Sequence, residues 1–236
     1  MGKDGRVNQC IRHYPDFDKT VTFSYPVYNP DKLPTESKRK DYSKDKNETR
    51  PDSLKRAVDK IFDIAYLNDF EYFVTLTLNG AFVNRYDSLD VGKKLKNWLR
   101  NQKQRKDARY IIVPELHKDG AIHFHGLMSG RFHVTDSGKH TCKGQVIYNL
   151  EDWTLGYTTA VRIDGEKVAV SRYICKYVTK DTKKIFGNVY FAGGDIVREP
   201  CKSYAHVNYY KAKGVEREIE ATGMKVKYYT EVYEHE

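Results

Sequence analysis

Eight residues constrain this chain more than any others: Ala121-Ile-His-Phe-His-Gly-Leu-Met128. Polar and bulky apolar side chains alternate along them with the two-residue period of a half-buried β-strand. His123 and His125 therefore project from one face, roughly 7 Å apart along the strand. Ile122, Phe124 and Met128 point the other way, into whatever packs beneath. Two neutral imidazoles on one rigid strand can converge on a divalent ion. Two surface histidines on a half-buried strand would give the same pattern.

Length and charge narrow the classes. A chain of 236 residues can bury one sizeable core and carry extensions. Its net charge of +9 favours a polyanionic partner. No apolar run is long enough to span a bilayer and the N-terminus has no apolar signal region, so a cytoplasmic protein is expected, without membrane partners. Cys10, Cys142, Cys175 and Cys201 are scattered with no CxxC spacing, which reads as free thiols in a reducing compartment. The 19 tyrosines offer stacking platforms for unpaired bases. No Gly-x-x-x-x-Gly-Lys-Ser/Thr occurs, so the chain carries no P-loop ATPase.

Taken in order, an extended segment or short strand is expected around Thr20–Ser24. Asp31–Arg50 is dense in charge and nearly free of apolar residues, and reads as a solvated linker. A helix begins at Asp52-Ser-Leu, with Leu54, Val58, Ile61, Phe62 and Ala65 at helical spacing. Glu71–Asn79 alternates as a strand, Val74, Leu76 and Leu78 on one face and Thr75, Thr77 and Asn79 on the other. Ser88–Lys106 follows as a helix whose basic run from Lys93 could track phosphates. Arg109–His117 is a second strand, and Asp119-Gly120 turns it into the His123–His125 strand. Gly130–Asp152 reads as a polar, irregular loop with a short ribbon near Gln145–Tyr148. Tyr157–Ile163 is a strand, Glu166–Lys184 a helix, and Val189–Ala192 a short strand. The expected class is α+β, a central antiparallel sheet with flanking helices. The expected organisation is an N-terminal extension and charged linker (1–50), one catalytic domain (51–200) and a C-terminal extension (201–236).

Chemistry concentrates in two further places. If the Asp119-Gly120 turn closes a hairpin, Glu115 comes near the histidines and supplies a third, harder ligand, a donor set suited to Mg²⁺ or Mn²⁺. Alone, it is equally a surface glutamate. The helix carries Ser171-Arg-Tyr-Ile-Cys-Lys-Tyr-Val-Thr-Lys180, in which Tyr173 and Tyr177 are one turn apart, about 40° around the axis. Lys176 and Lys180 repeat that spacing alongside, while Val168, Val170, Ile174 and Val178 form the packing stripe. Two phenols beside two ammonium groups suit nucleophilic attack on a phosphodiester. An amphipathic helix with snorkelling tyrosines is the plainer alternative.

Together, Phe73-Val-Thr-Leu-Thr-Leu, His123-Phe-His125 and Tyr173-Ile-Cys-Lys-Tyr-Val-Thr-Lys180 resemble motifs I, II and III of the HUH endonucleases, which initiate rolling-circle replication. The double-tyrosine form is similar to the replication initiators of microviruses, gokushoviruses included. The resemblance covers about Tyr72 to Pro200. It implies the HUH (ferredoxin-like or RRM-like) fold and a Mg²⁺ or Mn²⁺ ion held by His123, His125 and Glu115. It implies Tyr173 and Tyr177 as nucleophiles, supported by Lys176 and Lys180, nicking single-stranded DNA at an origin through a 5′-phosphotyrosine intermediate. The partners it implies are origin single-stranded DNA, a host helicase and a DNA polymerase, in a bacterial host cytoplasm, for a phage or plasmid replicon. A related transposase or mobilisation relaxase uses the same constellation, and a non-catalytic basic DNA-binding protein is the reading from another class. The Gly130–Asp152 insert and the lone acid at Glu115 depart from the family pattern.

Overall fold

The computed structural model describes residues 6–28, 51–180, 185–219 and 224–233. In chain order the elements begin with β1 (Arg6–His13), β2 (Phe17–Tyr28), α1 (Pro51–Leu67), β3 (Tyr72–Leu78) and α2 (Ser88–Lys106). Next come β4 (Arg109–Leu116), β5 (Ile122–Ser129), β6 (Val134–His140), β7 (Val146–Leu150), β8 (Gly156–Arg162) and α3 (Lys167–Lys180). The last are β9 (Phe191–Gly193), β10 (Cys201–Ala205), β11 (Val215–Ile219) and β12 (Met224–Val232). The fold is α+β, with two antiparallel sheets belonging to two compact units.

The larger unit spans Ser43–Glu199 and holds a seven-stranded sheet in the order β6-β7-β8-β3-β5-β4-β9. Because successive strand residues face opposite sides, this sheet has two apolar faces. Val74, Leu76, Ile112, Phe124 and Met128 pack with Leu95, Trp98 and Leu99 of α2. Ile111, Val113 and Leu127 face the other way and pack with Ile61 and Ile64 of α1 and with Ile174 and Val178 of α3. Each fully buried Leu, Ile or Phe contributes about 1.5–3 kcal/mol. Two indoles clamp the α2 side: Trp98 Nε1 donates to Asp152 O at 2.7 Å and Trp153 Nε1 to Thr77 O at 3.1 Å.

Local chemistry sets the element ends. Asp87 caps α2 by accepting from Leu89 N at 2.9 Å and Asp90 N at 3.2 Å. In the β4–β5 turn Asp119 Oδ1 accepts from Ala121 N at 3.0 Å, and Gly120 takes φ +83°, a left-handed conformation that favours glycine.

Two expectations needed correction. The stretch 130–152 is not an irregular loop: β6 and β7 form a hairpin on the sheet edge, with a register shift between Asp136 and Lys139. Its outer strand Val134–His140 is exposed or half-buried throughout, so no alternation marks it. The expected short strand at Thr20–Ser24 is twelve residues long and is the centre of a sheet of its own.

That sheet, in order β10-β1-β2-β12-β11, makes up the second unit, drawn from the two ends of the chain. Val226 and Thr22 are fully buried in it, and Tyr14 stacks on Phe17 with centroids 4.5 Å apart. His13 ties three strands, its Nδ1 2.9 Å from Asp18 and its Nε2 2.8 Å from Ser203. Val215–Ile219 and Met224–Val232, within the expected C-terminal extension, pair as its last two strands. The charged stretch 31–50 and residues 181–184 lie outside the described residues.

Candidate active site

The centre of the larger sheet sets the site. β5 lies between β3 and β4, and its register places Thr75 opposite His125 on one side and Thr77 opposite His123. On the other side Val113 faces His125 and Glu115 faces His123. Directly opposed residues share a face, so both histidines, both threonines and Glu115 lie on the side covered by α1 and α3.

The side chains meet along diagonals as well as rows. His125 Nε2 and Glu115 Oε2 are 2.7 Å apart, with side chains 13% and 17% exposed. The opposite ring nitrogen, Nδ1, is 3.2 Å from Thr75 Oγ1, and His123 Nδ1 is 3.4 Å from Thr77 Oγ1. At His123 a Thr77 hydroxyl accepting from Nδ1–H leaves the lone pair on Nε2, the tautomer that a ligand or proton acceptor requires, whereas at His125 the Glu115 carboxylate accepts from Nε2–H and the Thr75 hydroxyl donates to Nδ1 of the neutral ring. His123 stacks on His117, centroids 5.1 Å apart, and His117 Nδ1 lies 3.2 Å from Asp119. Burial lowers the His123 pKa, and the facing His117 adds to the effect, which favours the neutral ring.

α3 brings the phenols to this face. Ile174 and Val178 anchor it in the core, Val170 packs at the edge of that cluster, and Cys175 is also buried. Val168 of the expected stripe is only half-buried. Tyr173 and Tyr177 are thereby turned to the sheet: the Tyr177 ring lies 3.8 Å from that of His125, the planes 18° apart. The Tyr177 hydroxyl donates to that of Tyr173 at 3.0 Å. Tyr173 is 46% exposed. Burial, followed by the bond to Tyr173, raises the Tyr177 pKa and holds that phenol neutral. Lys176 Nζ sits 5.6 Å from the centroid of the Tyr173 ring. Lys180 is the last residue of α3, and its side chain lies outside those described.

Three of the seven expected residues thus lie on one face of the sheet, and Tyr173 and Tyr177 of α3 are brought to that face with Lys176 beside them. Among the described residues no group of three or more His, Cys, Asp or Glu is clustered closely enough to hold a metal ion. His125 and Glu115 are in contact with each other, with His123 one step along the strand. The donor chemistry fits a divalent ion: two imidazoles with Nδ1 turned to threonines, and one carboxylate reaching between their rows.

Phe73 belongs to the site and was not foreseen as such. Its ring centroid is 5.1 Å from Tyr173, 6.2 Å from Tyr177 and 6.4 Å from His125, so it packs against all three. Thr75 and Thr77 were placed on the correct face without a role; the pairing register assigns them one.

Residues 71–182 match the family model described as "Replication-associated protein ORF2/G2P". The match runs from the start of β3 to the end of α3 and includes every residue named above as a candidate ligand or nucleophile. It supports a role in initiating DNA replication. No curated protein and no solved structure matches the chain. Among the described residues no helix is long and apolar enough to cross a membrane.

Proposed function

We propose that the chain is a rolling-circle replication initiator that nicks and rejoins single-stranded DNA by tyrosine transesterification. One observation carries the reading: two phenol oxygens 3.0 Å apart, one of them on a ring stacked over an imidazole that contacts a carboxylate. The similarity of residues 71–182 to replication-associated proteins supplies the substrate class.

In this reading a phosphodiester of the origin strand lies between α3 and β5. A tyrosine oxygen bonds to phosphorus as the phenolic proton leaves, the bond to the 3′ oxygen breaks, and that oxygen takes up a proton. The products are a 5′-phosphotyrosine and a free 3′-OH that a polymerase can extend. Tyr173 is the first nucleophile, because it is the more exposed of the two phenols, its oxygen accepts the hydrogen bond of Tyr177, and Lys176 lies beside its ring. Tyr177, kept neutral by burial, holds its proton until a second transfer closes the circle. Phe73 and His125 fix both rings in position. His123, His125 and Glu115 would hold a Mg²⁺ or Mn²⁺ ion, which would supply charge neutralisation at the phosphoryl oxygens. Unwinding falls to a host helicase, since the sequence carries no P-loop.

The test is incubation of the full chain with single strands tiled across its replicon, plus Mn²⁺. A covalent protein–DNA band is expected, lost in EDTA and in the Tyr173→Phe/Tyr177→Phe double variant. Binding without any covalent band would make the chain a non-catalytic DNA-binding protein.

A further inference from the structure

The same unit carries a second surface, on the other side of the sheet. α2 packs through Leu95, Trp98 and Leu99 on the face opposite the tyrosines, so a strand lying in the candidate site does not reach its outer side. Lys93, Lys96, Arg100 and Lys103 fall at i, i+3, i+7 and i+10 of this helix and are all exposed. At 100° and 1.5 Å per residue they form one stripe about 80° wide and about 15 Å long. None of the four takes part in an ion pair among the described residues. Their neighbours differ: Lys94 pairs with Asp90 at 2.8 Å and Lys106 with Asp152 at 3.1 Å. The exposed amides of Asn97 and Gln104 flank the stripe, and no acidic residue occurs between Asp90 and Asp107.

Four like charges in one exposed stripe repel by a few tenths of a kcal/mol for each neighbouring pair, and an anion with a regular spacing relieves that repulsion. We propose that this stripe binds the phosphate backbone of double-stranded DNA, separately from the strand that is cut. The choice of duplex rests on what the stripe lacks. Single strands are gripped by aromatic platforms together with cations, and the one aromatic residue of α2, Trp98, is buried. The tyrosines lie on the opposite face. A straight line of charges with neutral hydrogen-bond donors beside it suits the regular backbone of a helix and reads no bases. Such a surface would hold the duplex flanking an opened origin while the nicked strand occupies the tyrosine face.

The experiment uses the full chain and a fluorescein-labelled random duplex of about two helical turns, with anisotropy followed across a salt series. Wild type is compared with the Lys93→Gln/Lys96→Gln/Arg100→Gln/Lys103→Gln variant, glutamine being nearly as good a helix former. Each lost phosphate contact lowers the slope of log affinity against log salt by about 0.9, so a fall of about 3.6 is expected. Binding of a short single strand should change little, and that arm reads the tyrosine face independently. An unchanged duplex slope overturns the proposal, as does an equal loss for duplex and single strand. Loss of binding to phosphatidylserine vesicles with duplex affinity intact would assign the stripe to a membrane surface and also overturn it. Should the fourfold variant fail to fold by circular dichroism, the four single variants must each lower the slope by about 0.9; four unchanged slopes reject the assignment.

Discussion

The ring of Tyr177 lies flat on the imidazole of His125, centroids 3.8 Å apart and planes 18° from parallel. A residue expected as a nucleophile is therefore also the cover of a residue expected as a ligand. The two roles separate by substitution. Tyr177→Phe keeps the stack and deletes the oxygen; Tyr177→Ala deletes both. Aromatic pairs of this kind contribute about 0.5–1.5 kcal/mol beyond burial. Formation of the first covalent adduct should therefore be about 2- to 10-fold slower in Tyr177→Ala than in Tyr177→Phe. Single-turnover adduct formation on a gel measures this, and equal rates would mean the stack does not position His125.

The threonines behind the histidines make a separate prediction. Thr75 Oγ1 is 3.2 Å from His125 Nδ1 and has no other evident use on that face. Thr75→Val keeps the β-branched shape that suits a strand and removes only the hydroxyl. Loss of such an outer partner typically costs 10- to 100-fold in metal affinity or activity, and a shift of that order is expected in the Mn²⁺ concentration giving half-maximal nicking. An unshifted Mn²⁺ dependence would show that backbone geometry alone orients the ring.

How much of this was legible in the sequence depended on whether a side chain was buried. β3 and β5 alternate because one face of each sits in the core, so Leu76 and Phe124 marked their faces and Thr75 and His125 followed on the reverse. α2 occupies the expected Ser88–Lys106 because Val91, Leu95 and Leu99 bury one face at helical spacing; its cap, Asp87, was not foreseen. β6 was not readable, since a sheet-edge strand exposed on both sides leaves no pattern. The second sheet was hidden for another reason. β1 pairs with β10 across nearly the whole chain, Cys10 opposite Tyr204, and no local period records such a partner. In the site, the spacing of Tyr173 and Tyr177 gave their common side, but contact with His125 depends on how α3 packs. That packing is set by Ile174, Val178 and Leu127 together.

The β5 backbone just after His125 offers a stability test. Gly126 follows His125 and faces the α2 side, opposite Ile112. A Cβ there would stand 2.6 Å from the Ile111 carbonyl oxygen and run into the Ile112 side chain. Gly126→Ala must push β5 from β4, at a cost of about 1–3 kcal/mol. For a chain of this length each kcal/mol lowers the thermal midpoint by about 2–4 °C. Because the displaced strand carries His125, nicking should fall more than the lost stability explains at temperatures where the variant is folded. A melting curve with an activity assay well below the midpoint separates the two. An unchanged midpoint would show that the sheet absorbs the methyl group.

The terminal sheet carries a pH signature of its own. Tyr209 is buried beside β11 and its hydroxyl donates to Glu216 at 2.9 Å. That bond lowers the Glu216 pKa, aided by Lys225, while burial and then the bond itself push Tyr209 up to about 12. The signs give two limbs. A depressed carboxylate stabilises the fold above its unfolded value of about 4.3 and loses that contribution as pH falls through the lowered folded value. A raised phenol stabilises it below the unfolded value of about 10 and loses that contribution as pH rises through about 12. Tyr209→Phe abolishes the phenol limb and removes the largest contribution to the carboxylate limb, leaving that of Lys225, while preserving the buried ring. The gap in thermal midpoint between wild type and Tyr209→Phe should therefore be flat from about pH 5 to 9 and narrow on both sides. Circular dichroism melts in a buffer series measure the gap. A gap independent of pH would mean that the ring's packing, and not its bond to Glu216, ties Tyr209 into the sheet.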